Sequence, residues 1–255
     1  GGDESLSIGA CYSHMSSINQ KSYPLTHVYL GNIPDQINTH WYNRLDETSL
    51  SKSDFYIFDS ISTKDVALLL KHNYVVARCV GRAEFGARSL GNRAILANPS
   101  NLENVKLIND VIKNRDFWMP FTPSIMTEYT DQYIVNKKKI QSPFMTIGFD
   151  SIFKNRKDII GGLHQGDFSA RPQFVDSKTN KEYWDLINEF YKLTNIPALL
   201  NTSLNLHGEP MNYSIDDAVR TLALSELDIL QIPGNKLICK NRVKSDIQRV
   251  LSCKT

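Results

Sequence analysis

Apolar positions along the chain change period several times, and each change marks an element. Val66, Ala67, Leu68, Leu69 and Leu70 follow Thr63, which reads as an N-cap, so a helix is predicted over 64–70. Tyr74 to Val80 is short, β-branched and closed by Gly81, which predicts a strand, and Arg93 to Ala97 predicts a second. Over 102–113, Leu102, Val105, Ile108 and Ile112 recur at helical spacing. Pro120 and Pro123 punctuate an extended run to Met126, and Phe144 to Phe149 predicts another strand. The clearest helix is 181–193. Its stripe of Tyr183, Trp184, Ile187, Phe190 and Tyr191 assigns Trp184 to core packing rather than base stacking. Ile196 to Leu200 is a buried-type strand running into a polar loop, 201–210. Ser214 and Asp217 form a capping box for a helix over 215–225, followed by strands at 227–232 and 236–239 and a last helix near Val243.

The remaining segments carry no such period. Residues 1–20 read as a loop and a short helix. Residues 21–52 are rich in Asn, Tyr, Asp and Ser, with Pro24 and Pro34, so 21–62 reads as a connecting segment and 63–255 as the folded domain. No internal repeat appears. Helices alternate irregularly with many short strands, which predicts an α/β domain of the mixed α+β kind, not a regular parallel doubly wound sheet.

Composition narrows the classes. Hydrophobic residues make up 41% of the 255 positions, enough for a sizeable core, which excludes disorder as the dominant state. Lys plus Arg (29) against Asp plus Glu (27) leaves +2, which argues against a nucleic-acid or membrane-surface binder driven by bulk charge. No apolar run approaches the roughly 20 residues of a spanning helix. The four cysteines are scattered without a CxxC pair, so reduced thiols and a cytoplasmic location are expected.

Chemistry concentrates in four blocks. The first, 81–93, follows a strand and interleaves Gly81, Gly86 and Gly91 with Arg82, Arg88 and Arg93. Glycines let backbone N–H groups approach an anion, and guanidinium forks match phosphate or carboxylate oxygens. It is neither a Walker loop nor a dinucleotide fingerprint. The second is Lys113-Asn114-Arg115 at a predicted helix end, where basic residues also occur for dipole reasons alone. The third, 164–171, brings His164, Asp167 and Arg171 close in sequence and reads equally as an anion site or as a turn with an ion pair. The fourth, 201–210, places Asn201, Ser203 and Asn205 at a strand end, a usual position for ligand-binding groups.

Taken together, GRAEFGARSLGNRAILANP (81–99), KNRDFWMPFTPSIMTE (113–128), SPFM (142–145), HQGDFSARPQFV (164–175), LLNTSLNLHGEPM (199–211) and the DDA…LDIL stretch (216–230) resemble the C-terminal domain of the O-carbamoyltransferases of nodulation-factor and antibiotic-tailoring type. The resemblance spans about 64–240. It implies a YrdC-like twisted open sheet with flanking helices, following an actin-like-ATPase-superfamily metal-binding domain of which residues 1–20 would be a remnant. It implies that carbamoyl phosphate is activated with ATP and Mg²⁺ to carbamoyl-adenylate, and that the carbamoyl group passes to a hydroxyl of a small acceptor. YrdC-like proteins carry K-x-R and S-x-N signatures, which Lys113/Arg115 and Ser203/Asn205 match. By the same resemblance Lys113, Arg115 and Arg171 are catalytic, and Arg82, Arg88, Arg93, His164, Asn201, Ser203 and Asn205 bind ATP or carbamoyl phosphate. Asp3, in a glycine–aspartate turn, would be one ligand of an Fe²⁺ or other divalent site whose two upstream histidines are absent from this sequence. Ala87 and Ser89 stand where the family often has Pro and Ala. A nucleotide- or phosphate-binding module without turnover, a YrdC-like RNA-binding domain, and assembly as a homodimer stay open as alternatives.

Overall fold

Leu199 and Leu200 stand next to each other on one strand yet belong to opposite cores, and that alternation repeats through the main sheet. The computed structural model describes residues 3–34, 41–113 and 119–253, without the side chains of Asp3, Glu4 and Val111. Its elements are α1 (Asp3–Ser17), β1 (Phe55–Phe58), α2 (Thr63–Lys71), β2 (Val76–Cys79), β3 (Arg93–Ala97), α3 (Leu102–Ile108), β4 (Thr122–Met126), β5 (Phe149–Asp150), β6 (Ser169–Ala170), β7 (Gln173–Val175), α4 (Lys181–Thr194), β8 (Ala198–Ser203), α5 (Ile215–Leu224), β9 (Ile229–Ile232), β10 (Lys236–Lys240) and α6 (Lys244–Ser252). Eight strands form one sheet in the order β1-β10-β9-β2-β3-β8-β4-β7, and β5 pairs with β6 separately. The main sheet is antiparallel except at β2–β9 and β4–β7.

Helices cover both faces. The core that includes Val66, Leu69, Tyr183, Leu186, Phe190 and Ile247 joins α2, α4 and α6 to one face. Ile108, Ile215, Val219 and Leu222 of α3 and α5 pack on the other. This is the mixed α/β open sheet with flanking helices expected from the sequence.

Four boundaries differ from the sequence pattern. The N-cap of α2 is Ser62, whose hydroxyl accepts the amide of Asp65 while the Asp65 carboxylate returns to the Ser62 amide. The apolar period over 102–113 breaks after Ile108 into a π turn, Asn109–Lys113. Residues 144–148 are not strand, and only Phe149–Asp150 pairs. The strand expected to end at Leu200 continues to Ser203, because β8 keeps partners on both sides, β3 and β4.

The segment expected as a connector contributes to the fold. β1 is the sheet's edge strand, and Trp41, Leu45 and Phe55 are buried in a main core. Val28 to Asn32 lies against the glycine-rich loop: Gly31 N–H donates to Ala83 O, Ala83 N–H to Asn32 O, and Phe85 N–H to Val28 O. These pairings use backbone atoms, which leave no side-chain period to read. In α1, none of the described side chains is buried.

Candidate functional site

The glycine-rich loop does bind an anion through its backbone, but the anion is its own Glu84. The Glu84 Oε1 atom accepts the amides of Leu90 (2.7 Å), Asn92 (2.9 Å) and Arg93 (3.3 Å). Gly91 has φ of +109°, and a Cβ there would lie 2.3 Å from the Tyr183 ring, so glycine is required both for conformation and for space.

The arginines of this block divide into two roles. Arg93 is fully buried and donates to the carbonyls of Tyr213, Val80, Gly81, Asn92 and Asn32. Arg82 donates to the carbonyls of Tyr29 and Leu30. Arg78 donates to Gly91 O and Gln231, and burial brings its guanidinium down to about 10 against the opposing pull of Glu182. Arg82 and Arg93, expected on an anion, are committed instead to backbone carbonyls that brace the loop. Arg88 is exposed and lines a cleft.

That cleft encloses about 390 Å³, counting its open mouth. Arg88 and Arg171 bring charge to its wall, Ser89, Thr122, Asn201, Thr202 and Ser203 bring polar groups, and Phe121 and Met145 add apolar surface. Residues separated by more than a hundred positions meet here because β3, β8 and β4 are adjacent. Asn201 is buried, and its amide donates to Ser89 O (3.2 Å), Ser124 Oγ (3.1 Å) and Gln173 Oε1 (3.3 Å). Ser124 and Gln173 are joined at 2.8 Å, which fixes that floor. No carboxylate lines the cleft among the described residues. The donor set of guanidinium, hydroxyl and amide groups fits oxyanions, and it offers a Mg²⁺ ion no charged protein ligand.

Ser203 links this cleft to a second cluster. The Lys113 side chain is 2% exposed, and its Nζ donates to Ser203 Oγ (3.1 Å), Asn205 O (3.1 Å) and Asn205 Oδ1 (2.6 Å). The Ser203 hydroxyl also donates to Asn205 Oδ1 at 2.6 Å. The lysine at the end of the π turn therefore meets the serine and asparagine of the β8–α5 loop, 90 and 92 residues away in sequence. A π turn is a recurrent device at functional sites, because its extra residue re-aims a side chain.

Other expected site residues fall elsewhere. His164 pairs with Asp167 at 3.0 Å, and Asp167 also accepts the Ser169 amide, which holds its carboxyl below the usual range. His164 therefore belongs to a self-contained turn and does not line the cleft. Arg115 lies outside the described residues, as does the side chain of Asp3, whose backbone begins α1. Among the described residues, no group of three or more His, Cys, Asp or Glu side chains could hold a metal ion. None of their helices is long and apolar enough to cross a membrane. Sequence reasoning missed Glu84, Gln173 and His207. His207 was signalled only by its place in the 199–211 block, where its Nδ1 now lies 2.6 Å from Lys113 O.

Comparison with known proteins follows the same blocks. The family model described as "Carbamoyltransferase C-terminus" matches residues 67–240. An uncharacterised protein of Methanocaldococcus jannaschii is 34% identical over 94% of this chain and 45% of its own length. Nodulation protein NolO of Bradyrhizobium diazoefficiens is 40% identical over 62% of this chain and 29% of its own. Nodulation protein NolNO of Sinorhizobium fredii is 38% identical over 65% and 24%. The chain thus spans less than half the length of these relatives. The solved structure of full-length HypF, in the phosphate- and nucleotide-bound form, aligns with 74% of this chain and 22% of its own at a TM-score of 0.46 and 14% identity. With its family match running from α2 to β10 across both the cleft and the lysine cluster, this chain belongs to the carbamoyltransferase C-terminus family.

Proposed function

We propose that this chain carries the carbamoyl-activating half of a carbamoyltransferase with a YrdC-like adenylating site. Carbamoyl phosphate first loses its phosphate to water, leaving carbamate. A carbamate oxygen then bonds to the α-phosphorus of ATP while the α–β bridge breaks and pyrophosphate leaves. The hydroxyl of a small acceptor finally takes the carbamoyl carbon and releases AMP.

The supporting observation is the Lys113–Ser203–Asn205 cluster, which shares Ser203 with a cleft lined, among the described residues, by two arginines and no carboxylate. The reaction brings several negative charges together, so fixed cations and preorganised donors are what it needs most. Arg88 and Arg171 hold phosphate oxygens by their forked N–H groups. Ser203, next to the lysine, orients an oxygen of the reacting group, and Asn201 keeps the floor of the cleft rigid. Mg²⁺, when bound with the nucleotide, supplies further charge neutralisation.

The test is exchange of radiolabelled pyrophosphate into ATP, with carbamoyl phosphate or ammonium carbamate added. The expected result is exchange that depends on the carbamoyl compound and is abolished in Lys113→Ala. Absence of carbamoyl-dependent exchange overturns the reading.

A further inference from the structure

The amide of Asn205 has every position used. Its Oδ1 accepts from Lys113 and Ser203, while Nδ2 donates to Leu206 O (2.9 Å) and Glu209 O (2.8 Å). A flipped amide would turn N–H groups toward an ammonium, so the two carbonyls decide which way Asn205 faces. Both carbonyls belong to the turn 206–209, closed by Glu209 N–H to Leu206 O (3.2 Å), with Gly208 at φ of +77°. The turn is exposed at His207 and Gly208 and has little apolar anchorage of its own.

Besides the His207–Lys113 O contact, a charged side chain from α5 anchors it. Arg220 Nη1 donates to both carboxylate oxygens of Glu209, at 3.1 and 2.9 Å. Arg220 is itself held by Glu47 through Nε at 2.6 Å. Glu47 also accepts from Arg44, which reaches Asp217 at the start of α5. The chain of alternating charges fastens the turn to α5 and to the 43–47 segment. We propose that Arg220, acting through Glu209, is a positioning residue that aims the Asn205 amide at Lys113. This inference rests on the adenylating site proposed above, because it assigns Asn205 a task there.

The experiment uses the full 255-residue chain and two readouts. The first is the Asn205 side-chain amide resonance pair in a ¹⁵N-labelled sample. The second is carbamoyl-dependent ATP–pyrophosphate exchange. In Arg220→Ala the Asn205 amide pair is expected to shift and lose its protection, with the exchange rate constant falling about tenfold and KM for ATP changing less than twofold. Arg220→Lys, which keeps one donor for Glu209, restores most of both signals. Glu209→Gln provides a second route to the same loss should Arg220→Ala not fold. Glu47→Gln, which spares the Arg220–Glu209 contact, leaves the amide pair in place. An unmoved Asn205 amide pair in both Arg220→Ala and Glu209→Gln overturns the proposal, whatever the exchange assay gives. Failure of the adenylating reading is seen separately, as exchange absent from the unaltered chain or insensitive to Lys113→Ala.

Discussion

His207 Nδ1 lies 2.6 Å from the carbonyl oxygen of Lys113, and since a carbonyl can only accept, the imidazole donates there. The contact therefore requires the proton on Nδ1. The contact ties the end of the π turn to the β8–α5 loop and holds the backbone from which Lys113 reaches Ser203 and Asn205. His207→Ala should cost about 1 kcal/mol of stability, the usual net worth of one such bond. It should also slow carbamoyl-dependent exchange several-fold. Imidazole ¹⁵N shifts at neutral pH provide the direct check, and a ring without a proton on Nδ1 would refute the assigned contact.

Two arginines five residues apart should respond in opposite ways. Arg93 is buried with each guanidinium nitrogen donating to a backbone carbonyl, and lysine cannot supply a planar fork of five N–H groups. Arg93→Lys should lose roughly 3–5 kcal/mol, since several buried carbonyls are left unpaired. Arg88 is exposed on the cleft wall, so Arg88→Lys should change stability by less than about 0.5 kcal/mol while weakening ATP binding. Urea unfolding and calorimetric titration with ATP separate the two. Equal stability losses at both positions would contradict this division of roles.

The same pair shows what was legible in the sequence. A spacing of arginines and glycines reveals that charge and tight turns are concentrated, but not which guanidinium faces inward. Arg93 begins a strand buried on both faces, whereas Arg88 is in the loop before it, and only the sheet distinguishes them. Amphipathic stripes located α4 and α5 because their apolar faces are fixed by burial. The 28–32 segment was read as connector because its contacts with the glycine-rich loop are made by backbone atoms. Glu84 was passed over for a related reason: a lone carboxylate among arginines reads as surface charge until the amides of Leu90, Asn92 and Arg93 are seen to surround it. The resemblance marked Lys113 and Ser203/Asn205 as signature residues, but their pairing was seen only in the fold, since no local pattern connects positions 90 residues apart.

Acid should loosen the 43–47 segment from α5 only below about pH 4. Burial pushes the Asp217 carboxyl up, but the Ser214 amide and hydroxyl, then Arg44, outweigh it and hold the group below 3.8. A carboxylate depressed in the folded state contributes stability that is full above its unfolded value and is lost as pH falls through the folded value. Stability should therefore decline below about pH 4, and Asp217→Asn should flatten that decline. Urea midpoints measured from pH 6 downward would show it, and an equally steep acid limb in the variant would count against the assignment.

Thiol chemistry should divide the four cysteines evenly. Cys11 and Cys253 are exposed. Burial pushes the Cys79 thiol up to about 11 and that of Cys239 up to about 12. A nucleophilic thiolate is scarce at both buried positions, and access is blocked as well. A disulfide reagent at about pH 8 should label Cys11 and Cys253 at once and the other two only after unfolding. Rapid labelling of all four in the native state would contradict the two cores.

Removing Ser203 and Asn205 together tests whether their loop is merely attached to the fold. Their positions at a strand end suggest side chains directed at a ligand and spared by the core. The structure makes them acceptors for a lysine that is 2% exposed, and two of the three Lys113 Nζ bonds described above end on their side chains. In Ser203→Ala/Asn205→Ala the buried ammonium keeps the Asn205 carbonyl and loses both side-chain partners. Each loss should cost about 1–3 kcal/mol, more than for neutral donors because a charge is left short of acceptors. For a chain of this size that lowers Tm by about 4–24 °C. On the adenylating reading, exchange activity should fall at least about a hundredfold, because Ser203 no longer orients the reacting group and Lys113 is no longer held in place. Adding Lys113→Met removes the buried charge whose two side-chain acceptors were lost and fills similar volume, so the triple variant should melt above the double while remaining inactive. That crossing of stability and activity distinguishes a site from a packed loop. A double variant melting within about a degree of the unaltered protein would mean that Lys113 does not depend on these two side chains. A triple variant no more stable than the double would place the cost in the loop itself rather than in the buried ammonium.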